Sequence, residues 1–184
     1  MATWNVLFLV HDGYREAIAR ELQRLDIDIA CLTEARLADS GKNIVEGLTF
    51  LHSGGAQHHH GVCLVLSPRT ARSLKSWEPI SDRLLTARLV HRHGHMTILV
   101  PYAPTEDASD ADKNNFYDLL EDTVRSVPPH DQLVIAGDLN AVSCTDRSGF
   151  EQVVGPFGSG APNDYSARLL TAALSSVSPV GSWF

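Results

Sequence analysis

Five polar residues stand where they could do chemistry together. Asn5 closes Thr3-Trp4-Asn5, and Glu34 closes the run Ile29-Ala30-Cys31-Leu32-Thr33-Glu34. Tyr102 ends Ile98-Leu99-Val100-Pro101-Tyr102, and Asp138 and Asn140 lie in Gly137-Asp138-Leu139-Asn140-Ala141. Most follow a short apolar run, and in layered α/β folds strand ends converge on the crevice where ligands bind. Carboxylate and amide oxygens gathered there suit a hard divalent cation such as Mg²⁺, which takes oxygen ligands and keeps waters for a substrate. Each residue has a plainer alternative. Gly137-Asp138 can be a turn, Glu34 before Ala35-Arg36 a surface charge, and Tyr102 a core residue with a satisfied hydroxyl. Their shared location and compatible chemistry favour a site.

The elements that would position them are short and almost continuously apolar. Val6 to Val10, Ile27 to Leu32, Val62 to Leu66, Leu84 to Val90, Met96 to Val100 and Leu133 to Ala136 read as strands covered on both faces. Gly13 to Leu25 carries Ala17, Ile18, Leu22 and Leu25 at helical spacing. Asp110 to Val127 reads as a second helix, with Phe116, Leu119, Leu120 and Val124 inward and Pro128-Pro129 as its stop. His91-Arg92-His93-Gly94-His95 reads as a hairpin turn, Gly155 to Pro162 as a loop, and Ala167 to Leu174 as a last helix. No composition shift marks an internal boundary, so one α/β domain over 1–184 is expected.

The 184 residues suffice for one core, and a net charge of −7 excludes a polybasic coat that grips nucleic acid by bulk charge. No apolar run reaches the roughly 20 residues that span a bilayer, and the N-terminus lacks the features of a signal peptide. No membrane is therefore expected. Cys31, Cys63 and Cys144 are odd in number and widely spaced, as expected of reduced thiols in a nuclear or cytoplasmic protein.

Thr-Trp-Asn, the Glu after the second run, Tyr102-Ala103-Pro104 and Gly137-Asp138-Leu139-Asn140-Ala141 together resemble the endonuclease/exonuclease/phosphatase superfamily. Phe50 to Gly55, His58-His59-His60-Gly61-Val62, Ser76 to Arg83 and Tyr102 to Asp107 resemble more narrowly the apurinic-like endonuclease domain of non-LTR (LINE-type) retrotransposons. The RTE/BovB branch and host genes of the craniofacial development protein 2-like group fit best. The resemblance implies a four-layer sandwich, two mixed β-sheets packed face to face and flanked by helices. It implies a Mg²⁺-dependent phosphodiesterase (Mn²⁺ as a substitute) acting on DNA, with a downstream reverse-transcriptase domain as a partner in the same polyprotein.

By position, the resemblance gives Glu34 as the direct metal ligand with Asn5 beside it. It gives Asp138 the attacking water, Asn140 a phosphate oxygen or the metal shell, and Tyr102 the charge that builds on phosphorus. Asn163, in Asn163-Asp164-Tyr165-Ser166, is a further candidate for substrate binding. Arg88, inside the run Leu84 to Val90, is a further candidate for a phosphate contact, with a solvated strand face as its alternative.

The chain departs from the family pattern in three places. Thr105 stands where many relatives carry Asn, and Tyr165-Ser166 replaces a common Asn-Gly. No Asp-His pair follows Asp164, so the domain is expected to lack its last strands and to be C-terminally incomplete. Two other functions remain open: a catalytically impaired remnant or binding module, and a same-fold phosphatase acting on small phosphoesters. The nine histidines do not form a metal pattern, and only His11, near the expected cleft, is a candidate for catalysis.

Overall fold

A computed structural model gives the architecture, and it describes residues 1–11, 13–55 and 60–140. Asn163, Cys144, His58 and His59 lie outside the described residues, as do the expected loop Gly155 to Pro162, the expected helix Ala167 to Leu174 and the region on which the expectation of missing last strands bears. The described chain falls into two compact units, one formed by 1–103 and 127–138, the other including 104–126 and 139–140.

The larger unit contains two mixed sheets. The first has the order β1-β2-β5-β4-β3, with β1 (Ala2–Asn5), β2 (Ile29–Thr33), β3 (Gly41–Val45), β4 (Leu48–Ser53) and β5 (Val62–Leu66). Here β1 and β2 run parallel and every other pair is antiparallel. The second sheet has the order β6-β7-β8-β9, with β6 (Leu74–Ser81), β7 (Leu84–His91), β8 (Gly94–Pro101) and β9 (Gln132–Ile135). Its one parallel pair is β8 with β9.

The sheets meet face to face. Cys31, Leu51, Val62, Leu64 and Leu66 of the first pack with Leu85, Ala87, Leu89, Ile98 and Val100 of the second. On the other face of the first sheet, helix α1 (Tyr14–Arg24) lays Ile18, Ala19 and Leu22 against Ala30, Leu32, Phe50, Cys63 and Val65. Leu25, expected to be inward, is 49% exposed because the helix ends before it. Strands that alternate between two cores must be apolar on both faces, which is why β2 and β5 read as unbroken runs.

Two readings of the sequence need correction. Val6 to Val10 is not a strand. The ladder to β2 uses Ala2 to Asn5, and the chain turns at Leu7, whose φ is 60°. Strands β3, β4 and β6 were not expected. The β3–β4 hairpin closes through Glu46 and Gly47, both with positive φ (48° and 79°), the conformation that a two-residue hairpin turn needs. Arg20 and Gln23 of α1 hold that turn through Glu46 Oε1 (2.8 Å) and Glu46 O (2.7 Å). A short helix α2 (Pro68–Ala71) follows β5, capped by Ser67.

The second unit contains helix α3 (Asp110–Ser126), which buries Phe116, Tyr117, Leu120 and Thr123. Ser109 caps it, accepting from Asp112 N (3.1 Å) and donating to the Asp112 carboxylate (2.7 Å). Among the described residues no helix is long and apolar enough to cross a membrane.

Candidate active site

Two parallel strand pairs build the site, because parallel neighbours bring their C-terminal ends to the same edge. In the first sheet Asn5 is level with Thr33, so Asn5 and Glu34 leave their strands side by side. Asn5 Nδ2 donates to Glu34 Oε1 at 2.7 Å, and Arg36 Nη2 donates to Glu34 Oε2 at 3.0 Å. The geometry depends on an unusual backbone: Glu34 has φ 56° and Arg36 φ 52°, a region that disfavours residues with a Cβ. Ala35 between them is buried, donates to Gly61 O (2.9 Å) and accepts from Leu9 N (3.0 Å), so this strained segment is held from both sides. Partial burial alone would raise the Glu34 carboxyl. The hydrogen bonds from Asn5 and Arg36 outweigh it, and Glu34 stays below the ordinary glutamate range, ionised at neutral pH.

In the second sheet β8 and β9 continue past their ends into a parallel bridge between Tyr102 and Asp138. Asp138 N donates to Pro101 O (3.0 Å) and Ala103 N donates to Asp138 O (2.8 Å). Gly137 permits this approach, since a Cβ there would lie 2.1 Å from Pro101 O. The Gly-Asp dipeptide is therefore a strand continuation that only glycine allows. Tyr102 is 7% exposed. Burial raises its phenol, the nearby Glu34 and Asp138 charges raise it further, and the Arg83 guanidinium opposes them.

Asn5, Glu34, Tyr102 and Asp138 thus come together within the larger unit. Asn140 belongs to the second unit, where it has φ 45° and its Nδ2 donates to Pro104 O at 3.4 Å. His11 stacks between Phe8 (5.8 Å) and Tyr14 (5.7 Å).

Arg88 sits elsewhere, and for a clear reason. Its Nε and Nη2 donate to the two oxygens of Asp131 at 2.6 and 2.7 Å. It is five residues from Arg83, about 16 Å along the strand at roughly 3.3 Å per residue. It is neither a solvated strand face nor a neighbour of Tyr102, but a strut between β7 and the start of β9.

Four further polar residues surround the site, and none of them was given a role in it from the sequence, although His60, Asp82 and Arg83 lie in segments that carry the family resemblance. Arg36 lies 4.5 Å over the Phe8 ring while bound to Glu34. Arg83 lies 5.0 Å over the Tyr102 ring, and His60 and Asp82 bond in series behind it. Residue type and spacing gave no role to His60, Asp82 and Arg83 because their partners come from distant segments, and Arg36 meets Glu34, two residues before it, only through a positive-φ turn.

Glu34 and Asn5 are the residues that could hold a divalent cation. Among the described residues no group of three or more His, Cys, Asp or Glu forms a cage. Asn5 faces Glu34 through its Nδ2 while its Oδ1 accepts from Leu7 N at 3.2 Å, so the one ionised carboxylate is the direct candidate ligand, and that still suits Mg²⁺, which keeps its waters and takes further oxygens from substrate phosphate.

Comparison with known proteins agrees with this architecture. The family model of the endonuclease/exonuclease/phosphatase family matches residues 2–168. Craniofacial development protein 2 of Bos taurus is 27% identical over 172 residues, which is 92% of this chain and 28% of that protein. The Tragulus javanicus protein of the same name is 26% identical over 92% of this chain and 29% of its own length. The chain therefore spans less than a third of these relatives. Among solved structures, the endonuclease domain of TRAS1, a telomere-specific non-LTR retrotransposon, superposes with a TM-score of 0.61 at 12% identity, covering 90% of this chain and 67% of that one. D. rerio TDP2 complexed with a single-strand DNA product gives 0.53 at 13% identity, covering 80% and 62%. These likenesses establish the fold of two mixed sheets with flanking helices. By its sequence profile and its architecture, the chain belongs to the endonuclease/exonuclease/phosphatase family.

Proposed function

We propose that this chain is a phosphodiesterase domain that hydrolyses DNA with water as the nucleophile and Mg²⁺ as cofactor. The observation that carries the reading is the approach of two strand-end pairs, Asn5 with Glu34 and Tyr102 with Asp138, joined where the Tyr102 phenol hydrogen-bonds to Glu34. Glu34 and Asn5 would hold the cation, which supplies Lewis-acid charge to a phosphate oxygen. Asp138 orients the attacking water and accepts its proton as the new O–P bond forms and the P–O bond to the leaving sugar oxygen breaks, that oxygen taking a proton from solvent. Tyr102, whose phenol keeps its proton, donates a hydrogen bond to the charge that develops there. Asn140 is assigned a phosphate oxygen. A thiol nucleophile is disfavoured: burial pushes the Cys31 thiol up to about 12, and Cys63 is raised as well.

DNA is preferred over small phosphoesters because the similar structures include a retrotransposon endonuclease domain and a protein solved with a DNA product. A reverse-transcriptase segment downstream and a nuclear or cytoplasmic location belong to the same reading. The test is Mg²⁺-dependent relaxation of supercoiled plasmid. Wild type should nick the plasmid, and Asp138→Ala should slow nicking by about 10²–10⁴-fold. Absence of cleavage on any nucleic acid would overturn the reading. Faster turnover of small phosphoesters than of DNA would move it to the phosphatase alternative.

A further inference from the structure

Behind Tyr102 runs a chain of polar contacts that the proposed chemistry does not use. The turn between β6 and β7 is Ser81-Asp82-Arg83. Ser53, the last residue of β4, donates its hydroxyl to Ser81 O, and Ser81 Oγ accepts from Arg83 N at 3.2 Å. Gly55 lies flush against the same turn, since a Cβ there would meet Asp82 Oδ2 at 3.3 Å. The segment leading into β5 then returns His60 to this place. Its Nδ1 is 2.9 Å from Asp82 Oδ2, and its Nε2 is 2.6 Å from Arg83 Nη2.

The direction of these bonds follows from donor chemistry. A guanidinium can only donate, so His60 Nε2 accepts from Arg83. The ring proton is then on Nδ1, which donates to Asp82. Arg83 makes three further contacts with Tyr102. Its Nη1 donates to Tyr102 O (3.2 Å), its carbonyl accepts from Tyr102 N (2.8 Å), and its guanidinium covers the ring at 5.0 Å. The links from Ser53 to Ser81, from His60 to Asp82 and Arg83, and from Arg83 to Tyr102 join segments distant in sequence, and the last one ends on the residue assigned to the scissile phosphate.

We infer that Asp82, His60 and Arg83 form a hydrogen-bonded relay that positions Tyr102, with Arg83 as the positioning residue and His60 as the link that fixes its guanidinium. The inference rests on the proposed phosphodiesterase reading, because only there does Tyr102 have a phosphate to meet. A phenol that donates to a developing charge must hold its oxygen within a fraction of an ångström of the productive place, and loss of that placement costs rate rather than affinity. Lysine cannot replace Arg83, since a single ammonium cannot bond His60 and the Tyr102 carbonyl in a fixed plane while covering the ring.

The experiment compares wild type, His60→Leu, His60→Gln and Arg83→Lys in the whole protein by Mg²⁺-dependent cleavage of a DNA duplex, with thermal melting and ¹⁵N NMR of the His60 ring. Leucine fills the space without an acceptor or a donor. Glutamine offers a carbonyl oxygen to Arg83 and an amide N–H to Asp82. His60→Leu and Arg83→Lys should each lower kcat by about tenfold to a hundredfold with KM nearly unchanged. His60→Gln should recover most of the loss, and the wild-type ring should show a protonated Nδ1 and a bare Nε2.

An active wild type indifferent to both Leu and Lys replacements overturns the relay alone. So does a glutamine variant that melts like wild type and is no faster than the leucine variant, or a ring protonated on Nε2. If His60→Leu fails to fold, Arg83→Lys against wild type decides the point. A wild type that cleaves no phosphodiester overturns the proposed function, and the relay with it.

Discussion

Two carboxylates in this molecule are held by arginine, and they are held differently. Asp131, at the entry to β9, has a side chain only 1% exposed. It accepts from Arg88 Nε and Nη2 and from Thr97 Oγ1 at 2.6 to 2.7 Å. Both of its oxygens are satisfied by residues of adjacent strands. The paired Arg88 guanidinium, with help from Thr97, holds its carboxyl at about 2. Glu34 accepts from one arginine and one amide, has the Tyr102 phenol as a third partner, keeps its side chain 15% exposed, and stands past a strand end at positive φ. Each carboxylate is ionised, but one is enclosed by its partners and the other borders solvent. Enclosure by well-aligned donors makes a strut. A carboxylate with solvent access, on strained backbone held from both sides, is what a binding site requires.

The comparison breaks first if Glu34 can be removed without consequence. Glu34→Ala should reduce DNA nicking by about 10²-fold or more, while unfolding in urea changes little, because partly exposed ion pairs contribute at most about 1 kcal/mol. A variant that keeps its activity and loses stability would make Glu34 a second strut.

Asp131→Asn should do the opposite, costing about 2 kcal/mol of stability at neutral pH while cleavage by the folded fraction is unchanged. Since this carboxyl titrates at about 2 in the fold against an ordinary 3.8, its contribution is complete above pH 3.8. It fades as pH falls through 2. The difference between wild type and variant, followed by urea unfolding from pH 5 to pH 2, should close over that window, and a constant gap would contradict the assignment.

The smallest effect sharpens the site rather than the strut. Tyr102→Phe should lower kcat about tenfold, the worth of one hydrogen bond, with the melting temperature nearly unchanged. An unchanged kcat would return Tyr102 to the core.

Much of the fold could be read along the chain, and the failures have physical causes. The residues of α1 and α3 declare themselves by apolar spacing, and β2, β5, β7 and β8 by their apolar runs. Strand β3 (Gly41–Val45) is an outer strand with an exposed middle, and β6 (Leu74–Ser81) is an edge strand that carries Pro79. Edge strands need no second apolar face and tolerate proline. Strand β4 is wholly buried yet contains His52, whose ring nitrogens are bonded to Asn43 Nδ2 (3.0 Å) and Asp39 O (3.0 Å). A histidine satisfied by partners nine and thirteen residues away breaks an apolar run without breaking the core. Val6 to Val10 misled in the other direction, since its apolar side chains follow the strand instead of forming it.

The amino-acid sequence by itself determined helices α1 and α3, the apolar strands β2, β5, β7 and β8, and the places of Glu34, Tyr102 and Asp138 after apolar runs, because periodicity and turn chemistry are local. Only the tertiary structure decided that Arg88 serves Asp131 and that Arg36 grips Glu34. It alone decided that Asp82, His60 and Arg83 line up behind Tyr102. Those choices depend on which strand lies beside which, and a charged side chain acquires its role from the partner that the sheet order brings within hydrogen-bonding distance.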